Sequence, residues 1–132
     1  MKKIEVSAAV IRNNNKIFCA QRKDEGAMAK KWEFPGGKLE INETPKEALK
    51  RELNEELNLN IDIKDYIMTV EHQYPTFFIT MHAFFCDVED RNIILNEHLD
   101  SKWLNYDELN TLDWAEADIA IVKKIQELNK RR

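Results

Sequence analysis

Glutamates Glu52, Glu55 and Glu56 stand at helical spacing, in a pattern that could bind a metal ion. At about 100° per residue they lie together on one face of a helix. One turn away on either side, Glu52 and Glu56 have no basic neighbour, and Glu55 has only Arg51. Like charges one turn apart cost about 0.2–0.5 kcal/mol per pair, which a divalent cation would offset. The alternative is an ordinary solvated face, but the spacing favours Mg²⁺, with Mn²⁺ as a substitute, because both prefer oxygen ligands.

The helix that would carry these glutamates has a marked beginning. Thr44, Pro45 and Glu47 predict an N-cap, a proline at the first helical position and a reciprocal capping box. The helix is expected to end near Leu57, because Asn58 tolerates the left-handed conformation found past many helix ends. Its buried stripe is predicted to consist of leucines four residues apart, namely Leu49, Leu53 and Leu57. This stripe would hold the acidic face in a fixed orientation.

The helix belongs to a longer pattern that resembles the Nudix box. Gly37, Glu43 and the run RELNEELNL from Arg51 to Leu59 stand at the spacing of that motif, with Asn58 where the family has glycine. The resemblance covers nearly the whole chain and is strongest to MutT-like members. It implies an α/β/α sandwich with a mixed sheet. It also implies a Mg²⁺-dependent hydrolase that converts a nucleoside triphosphate to nucleoside monophosphate and pyrophosphate, with oxidised or modified nucleotides such as 8-oxo-dGTP among the candidate substrates.

The resemblance also implies roles for individual residues. Glu52 is expected to act as general base or as a metal ligand, since family members differ on this point. Glu43 would support Glu52, and Arg51 would hold the loop and helix carboxylates in place. The spacing from Glu97 to Trp103 matches the MutT-like pattern; the alternative for Glu97 is a surface position. The implied metal ligands are Glu52, Glu55, Glu56, Glu97 and the carbonyl of Gly36.

Five positions are candidates for contact with the nucleotide, again by resemblance. Asp118 corresponds to an Asn or Asp placed against the base, although an acid near a helix N-terminus is also favourable without any ligand. Arg22 and Phe77 have equally ordinary alternatives, as a surface cation and a core aromatic. Gly36 and Gly37 provide either close approach to a ligand or a tight turn. The expected substrate-binding set is Arg22, Phe34, Gly37, Phe77 and Asp118.

The remaining chain predicts strands and a second helix around this motif. Alternating apolar residues and an asparagine turn at positions 13–15 predict a first pair of strands. The run TFFITMHAFFCDV is apolar enough for a central strand covered on both faces. Because the helices are separated by strands, the order favours an α/β fold with one helix on each side of a mixed sheet. The predicted strands and helical segments are 4–10, 16–22, 32–35, 61–70, 76–88, 101–104, 106–110 and a helix from about 116.

Composition narrows the class of protein. With 132 residues, the chain is expected to form a single domain, residues 1–132. A net charge of −4 gives no support for binding nucleic-acid polymers, and no apolar run could span a membrane. The sequence start does not resemble a secretory signal, and Cys19 and Cys86 lack zinc-site spacing, so a reduced cytoplasmic protein is expected. Met28 and the histidines, His72, His82 and His98, are interpreted as structural.

Two other functions remain open at this point. One is a Nudix enzyme acting on a dinucleotide polyphosphate or ADP-ribose. The other is a nucleotide-sensing module that binds without cleavage. No Ser, Cys or His nucleophile constellation stands out, which favours direct attack by water over a covalent intermediate. Either a monomer or a homodimer is compatible with the sequence.

Overall fold

A computed structural model describes residues 2–57 and 61–131. Within them the chain forms seven strands, two α-helices and one short 3₁₀ helix, Tyr106–Thr111. The α-helices are α1, Pro45–Leu57, and α2, Glu116–Lys130. The strands are β1 Lys2–Asn13, β2 Lys16–Gln21, β3 Trp32–Glu33, β4 Gly36–Lys38, β5 Asp62–Gln73, β6 Phe77–Asp87 and β7 Asp100–Asn105.

All the strands belong to one mixed sheet, with β1 at its centre. One edge of β1 pairs in parallel with β6 from Lys2 opposite Phe77 to Arg12 opposite Asp87. The other edge is shared, because β4 pairs with the first half of β1 and β2 pairs with its end. Beyond these, β5 pairs with β6, while β3 and β7 pair with β2. The central position predicted for β6 is confirmed.

The two α-helices cover opposite faces of the sheet. Alternation along a strand sends successive side chains to opposite sides, so Ala9 and Ile11 pack with Leu49 and Leu53 of α1. Their neighbours Ala8 and Val10 pack instead with a stripe of α2 formed by Ile121, Val122 and Ile125. The α/β/α sandwich expected from the sequence is therefore confirmed.

Helix α1 begins as the sequence predicts. The N–H of Glu47 donates to Thr44 Oγ1 at 3.2 Å, and the N–H of Thr44 donates to Glu47 Oε1 at 2.9 Å, which completes the capping box. The Ser7 hydroxyl on β1 donates to the Pro45 carbonyl at 2.6 Å and ties this helix end to the central strand. The proposed helix stop at Asn58 lies outside the described residues, as does the side chain of Leu57.

The glycines of the motif differ from expectation. Gly36 and Gly37 lie in strand β4 and pair with Ala8 and Ser7, rather than forming a tight turn. A side chain at Gly36 would clash with the Ser7 carbonyl. The glycine is therefore needed for close strand approach, which local sequence patterns do not reveal because Ser7 is far away along the chain.

Among the described residues, neither helix has the length and apolar character needed to cross a bilayer.

Candidate metal and nucleotide site

Arg51 makes hydrogen bonds to two carboxylates at one edge of the site, those of Glu43 and Glu52. Its Nε and Nη2 donate to the two oxygens of Glu43 at 2.7 and 2.9 Å, and Nη2 also donates to the Lys38 carbonyl at 3.0 Å. Its Nη1 donates to Glu52 Oε1 at 2.9 Å. The hydrogen bonds from Arg51, followed by one from the Glu40 N–H, lower the pKa of Glu43 to about 2. This fork-to-carboxylate pairing fixes the guanidinium, and the guanidinium in turn fixes Glu52.

The contact between Arg51 and Glu52 was not expected from helical spacing. Counting neighbours at three and four residues gave Glu52 no basic partner, because adjacent residues on a helix do not ordinarily face each other. The long Arg51 side chain nevertheless reaches Glu52 while it bridges to Glu43. Only Glu52 Oε1 is engaged in this way within the described part of the chain, so Oε2 is available for a ligand.

Gly37 determines where Glu52 can lie. A Cβ atom at Gly37 would clash with Cδ of Glu52, so the strand passes directly beside the carboxylate. The Glu52 side chain is 19% exposed. The absence of a side chain at Gly37 therefore allows a half-buried carboxylate to sit between β4 and α1.

A cleft of about 260 Å³ opens beside these residues. Glu55 is exposed, with 62% of its side chain accessible and Arg51 Nη1 at 3.6 Å. The pKa of Glu56 is raised to about 7, first by burial and then by the charge of Glu52, with smaller contributions from Glu97 and others. The cleft is lined by Glu52, Glu55, Glu56, Leu95, Asn96, Glu97 and His98. The predicted carboxylates are thus brought together from α1 and from the loop before β7.

The donor set of this cleft fits a hard divalent cation. Its carboxylates supply only oxygen, and the pKa of Glu56 is raised first by burial and then by the charge of Glu52, a charge that a cation would offset. Across residues 2–57 and 61–131, no group of three or more His, Cys, Asp or Glu side chains is placed so that they could hold a metal ion by themselves. Mg²⁺ is commonly bound through one or two carboxylates together with water and substrate phosphates, rather than by a complete protein cage. The open acidic cleft suits that mode of binding. Gly36 is not among the residues that line it.

A second cluster surrounds the N-terminal end of α2. Asp118 is 2% exposed, and its Oδ2 accepts the N–H of Phe34 at 3.0 Å. Phe34 stacks on Trp114, with ring centroids 4.7 Å apart, and is itself 4% exposed. Burial raises the pKa of Asp118 to about 8, against the opposing effect of the Phe34 N–H. Asp118 can therefore carry a proton near neutral pH and donate it in a hydrogen bond.

Phe77 joins the same end of α2 through Tyr74. The Phe77 and Tyr74 rings stack with centroids 4.9 Å apart, and the Tyr74 hydroxyl accepts the N–H of Ala117 at 3.0 Å. Phe77 is half-buried against the core, so the core and nucleotide interpretations of this residue are compatible.

Glu33 connects the second cluster to the acidic cleft, and sequence reasoning missed it. Its Oε1 accepts Arg22 Nη1 at 2.9 Å, and its Oε2 bonds to His98 Nε2 at 2.9 Å. The sequence interprets His98 as structural, and the structure places it in the lining of the cleft. The available signals were its position next to Glu97 and the position of Glu33 next to Phe34, but only the fold brings His98 to Glu33.

A larger groove of about 760 Å³ lies between the 3₁₀ helix and the C-terminal end of α2. Its lining is mainly of amide side chains, and Asp107 is its only carboxylate among the described residues. It therefore lacks the acidic cluster that distinguishes the smaller cleft.

Because Asp118 is buried, we expect it to contribute a pH-dependent part of the free energy of unfolding. The substitution Asp118→Asn should remove that part. The folded state retains the proton up to about pH 8, whereas the unfolded chain loses it near the ordinary value of 3.8. The Asp118 contribution to the free energy of unfolding should therefore fall between these limits, by at most about 1.4 kcal/mol per pH unit, and level off above them. Urea unfolding of both proteins at pH 5, 7 and 9 measures the difference. Asparagine can still accept the Phe34 N–H, so parallel pH curves would contradict the shift.

The chain is similar to known proteins both in sequence and in structure. Residues 1–125 match the model of the NUDIX domain. The chain is 33% identical to the 8-oxo-dGTP diphosphatase of Escherichia coli K12 over 97% of this chain and 100% of that protein. It is 33% identical to the CTP pyrophosphohydrolase of the same strain, over 100% of this chain and 98% of that protein. Among solved structures, the E. coli ORF135 protein is similar with a TM-score of 0.84 and 32% identity, covering 100% of this chain and 94% of that one. A MutT protein from methicillin-resistant Staphylococcus aureus 252 is similar with a TM-score of 0.80 and 41% identity, covering 97% of this chain and 99% of that one.

Proposed function

Since the chain belongs to the Nudix family of hydrolases, we propose that it is a nucleoside triphosphate pyrophosphohydrolase that releases nucleoside monophosphate and pyrophosphate. The observation that carries this proposal is the orientation of Glu52 by the Arg51–Glu43 pair at the edge of an acidic cleft. Nudix enzymes generally need a divalent metal, and we assign Mg²⁺, or Mn²⁺ in its place, to this cleft. Glu55 and Glu56 are the proposed principal ligands, with Glu97 opposite them.

We assign the Gly36 carbonyl to the ligand set on resemblance alone. In the structure Gly36 lies in β4 and does not line the cleft, so its participation requires that the triphosphate and metal extend towards β4.

The metal would neutralise the negative charge of the phosphates, which an acidic cleft would otherwise repel, and would stabilise charge that develops on the leaving group. Glu52 is the proposed general base. It accepts a proton from the attacking water as the water oxygen bonds to phosphorus and the anhydride bond between the α- and β-phosphates breaks. Arg51 keeps the base in position, and Glu43 keeps Arg51 in position. No covalent enzyme intermediate is required.

We propose that the nucleoside lies between the cluster at α2 and the cleft. Asp118 can accept a hydrogen bond when ionised or donate one when protonated. It is 2% exposed, so the proposal requires that nucleotide binding opens the packing around it before it can read polar groups on a base edge. The Phe34 and Phe77 rings would form apolar walls. Arg22, whose guanidinium is fixed by Glu33, would contribute positive charge beside the phosphates. The named relatives act on 8-oxo-dGTP and CTP, so we propose oxidised purine or cytosine triphosphates as the first substrates to test.

We further propose that residues 1–132 act as one catalytic domain in the cytoplasm on small nucleotides rather than on polymers. Cys19 and Cys86 are free and buried, and burial raises the pKa of both thiols to about 12. Such thiols suit a reducing compartment and have no part in the proposed chemistry.

Pyrophosphate release from a substrate panel tests the function. The panel contains the ordinary triphosphates, 8-oxo-dGTP, 5-methyl-dCTP, ADP-ribose and diadenosine tetraphosphate, each measured with Mg²⁺ and again with EDTA. We expect metal-dependent pyrophosphate release with a preference for one triphosphate. AMP from only ADP-ribose or the dinucleotide would overturn the proposed substrate class while keeping the metal site. Tight nucleotide binding without any product would instead identify a sensing module.

A further inference from the structure

We propose that His98 is a positioning residue, whose hydrogen bond to Glu33 holds the loop before β7 so that Glu97 faces the metal cleft. The inference rests on the proposed metal site and adds a residue to which neither the sequence motif nor the comparisons assign a role. It makes one prediction about metal binding that does not depend on which nucleotide is hydrolysed.

Glu33 is held in place by contacts that do not involve His98. It lies in β3, where Trp32 and Glu33 pair with Gln21 and Ala20 of β2. Its Oε1 is held by Arg22 at 2.9 Å, which leaves Oε2 for the imidazole at the same distance. A carboxylate clamped on one side and anchored in a sheet provides a rigid attachment for a loop side chain.

The loop is anchored mainly through its first half, where Arg91 donates to Asn13 Oδ1 at 2.8 Å and its carbonyl accepts the Trp103 indole N–H at 3.1 Å. Residues 88–99 contain neither helix nor strand. Ile93 is buried in the core, and the N–H of Leu99 donates to the Gln21 carbonyl at 2.9 Å. Within the described residues, the contact with Glu33 is the only side-chain hydrogen bond made by residues 96–98. Glu97 therefore depends on His98 and the Leu99 backbone for its orientation.

The ring of His98 is oriented by that one bond. Its side chain is 11% exposed, and Nδ1 is buried without a hydrogen-bond partner in the described part of the chain. In the described part of the chain no second hydrogen bond would hold the ring direction if the bond to Glu33 were lost, and only the packing that buries the ring would remain. The backbone anchor at Leu99 would remain, so loss of the bond should reorient Glu97 without unfolding the loop.

Two amide substitutions separate this role from simple loss of a histidine. In His98→Gln the side-chain amide nitrogen reaches about the position of Nε2 and can still donate to Glu33. In His98→Asn the amide is shorter and cannot reach. We expect His98→Asn to weaken Mn²⁺ binding to the nucleotide-free protein at least fivefold, measured by isothermal titration calorimetry or by the electron paramagnetic resonance of unbound Mn²⁺. Turnover should fall about tenfold with the KM for nucleotide within twofold, and His98→Gln should remain within twofold of wild type in each measurement.

His82 supplies a matched control. Its Nε2 bonds to Glu5 at 2.6 Å, and it does not line the cleft, so His82→Asn should leave Mn²⁺ affinity unchanged. His98→Ala provides a second measure if His98→Asn proves unstable. Glu56→Gln distinguishes the inference from its premise. If Glu56→Gln loses Mn²⁺ binding while His98→Asn retains it, the role of His98 is wrong and the proposed metal site stands. If neither variant affects binding, the cleft is not the metal site.

Discussion

Replacing Glu52 or Glu55 by glutamine is expected to lower kcat at least a hundredfold while leaving the protein folded. Glutamine keeps the size of each side chain but removes its charge and, at Glu52, the capacity to accept a proton from water. Glu52 is held by Arg51 with Oε1 at 2.9 Å, so its carboxylate is presented in a fixed orientation. Glu55 is largely exposed in the cleft and contributes little to the core, so its loss should affect metal binding rather than stability.

Steady-state kinetics at saturating Mg²⁺, together with thermal unfolding, provide the test. Glu127→Gln is a matched control, because Glu127 pairs only with Arg131 on α2 within the described residues and should retain full activity. Near-wild-type turnover from either cleft variant, in a folded protein, would remove that residue from the proposed mechanism. A parallel loss of activity and thermal stability would point to a structural role instead.

Gly37→Ala is expected to reduce kcat at least tenfold with little change in stability. The added methyl group would occupy space now used by Glu52 Cδ and Cγ. Those atoms belong to a side chain and not to the backbone, so the carboxylate can move aside without displacing β4 or α1, although it would lose its hydrogen bond to Arg51. Moving it by even about 1 Å from a productive position is enough for a large loss of rate.

Gly26→Ala is the comparison variant for Gly37→Ala, because it should change stability and not activity. Gly26 has φ +78°, and a Cβ atom added there would have no heavy atom within 4 Å, so an alanine suffers backbone strain without touching the cleft. We expect that variant to lose about 1–2 kcal/mol of stability and to keep its kcat. Urea unfolding and kinetics on both alanine variants should therefore give opposite results. Full activity of Gly37→Ala would show that the position of Glu52 is not critical.

Local sequence signals account for the parts of the molecule that were predicted well. The capping box at Thr44 and Glu47 and the buried pair Leu49 and Leu53 depend on residues within a few positions of one another. Such contacts form wherever the segment is helical, so spacing alone identifies them. The glutamates of the acidic face of α1 also lie close together for a local reason, because residues three and four apart share one face of a helix.

The parts that were missed depend on residues far apart in the sequence. Strand β4 exists because Gly36 can lie against Ser7, and the link from Glu33 to His98 joins residues 65 positions apart. The Arg51–Glu52 contact was missed for another reason, since it depends on Arg51 turning towards Glu43. Asp118 was selected by resemblance, but its burial and raised pKa depend on packing under Phe34.

The parallel pairing of β1 with β6 also has a consequence for how the chain folds. Each residue of β1 from Lys2 to Arg12 is matched with one 75 positions later, so the central strand cannot complete its hydrogen bonding until most of the chain is present. Closing so large a loop is entropically unfavourable, and domains rich in such contacts fold more slowly than helical ones. Helix α1 can form early from its own capping signals, whereas Glu97 follows β6 in the chain, and we expect it to reach α1 after β6 has paired. Assembly of the acidic cleft should therefore be a late event on the folding pathway.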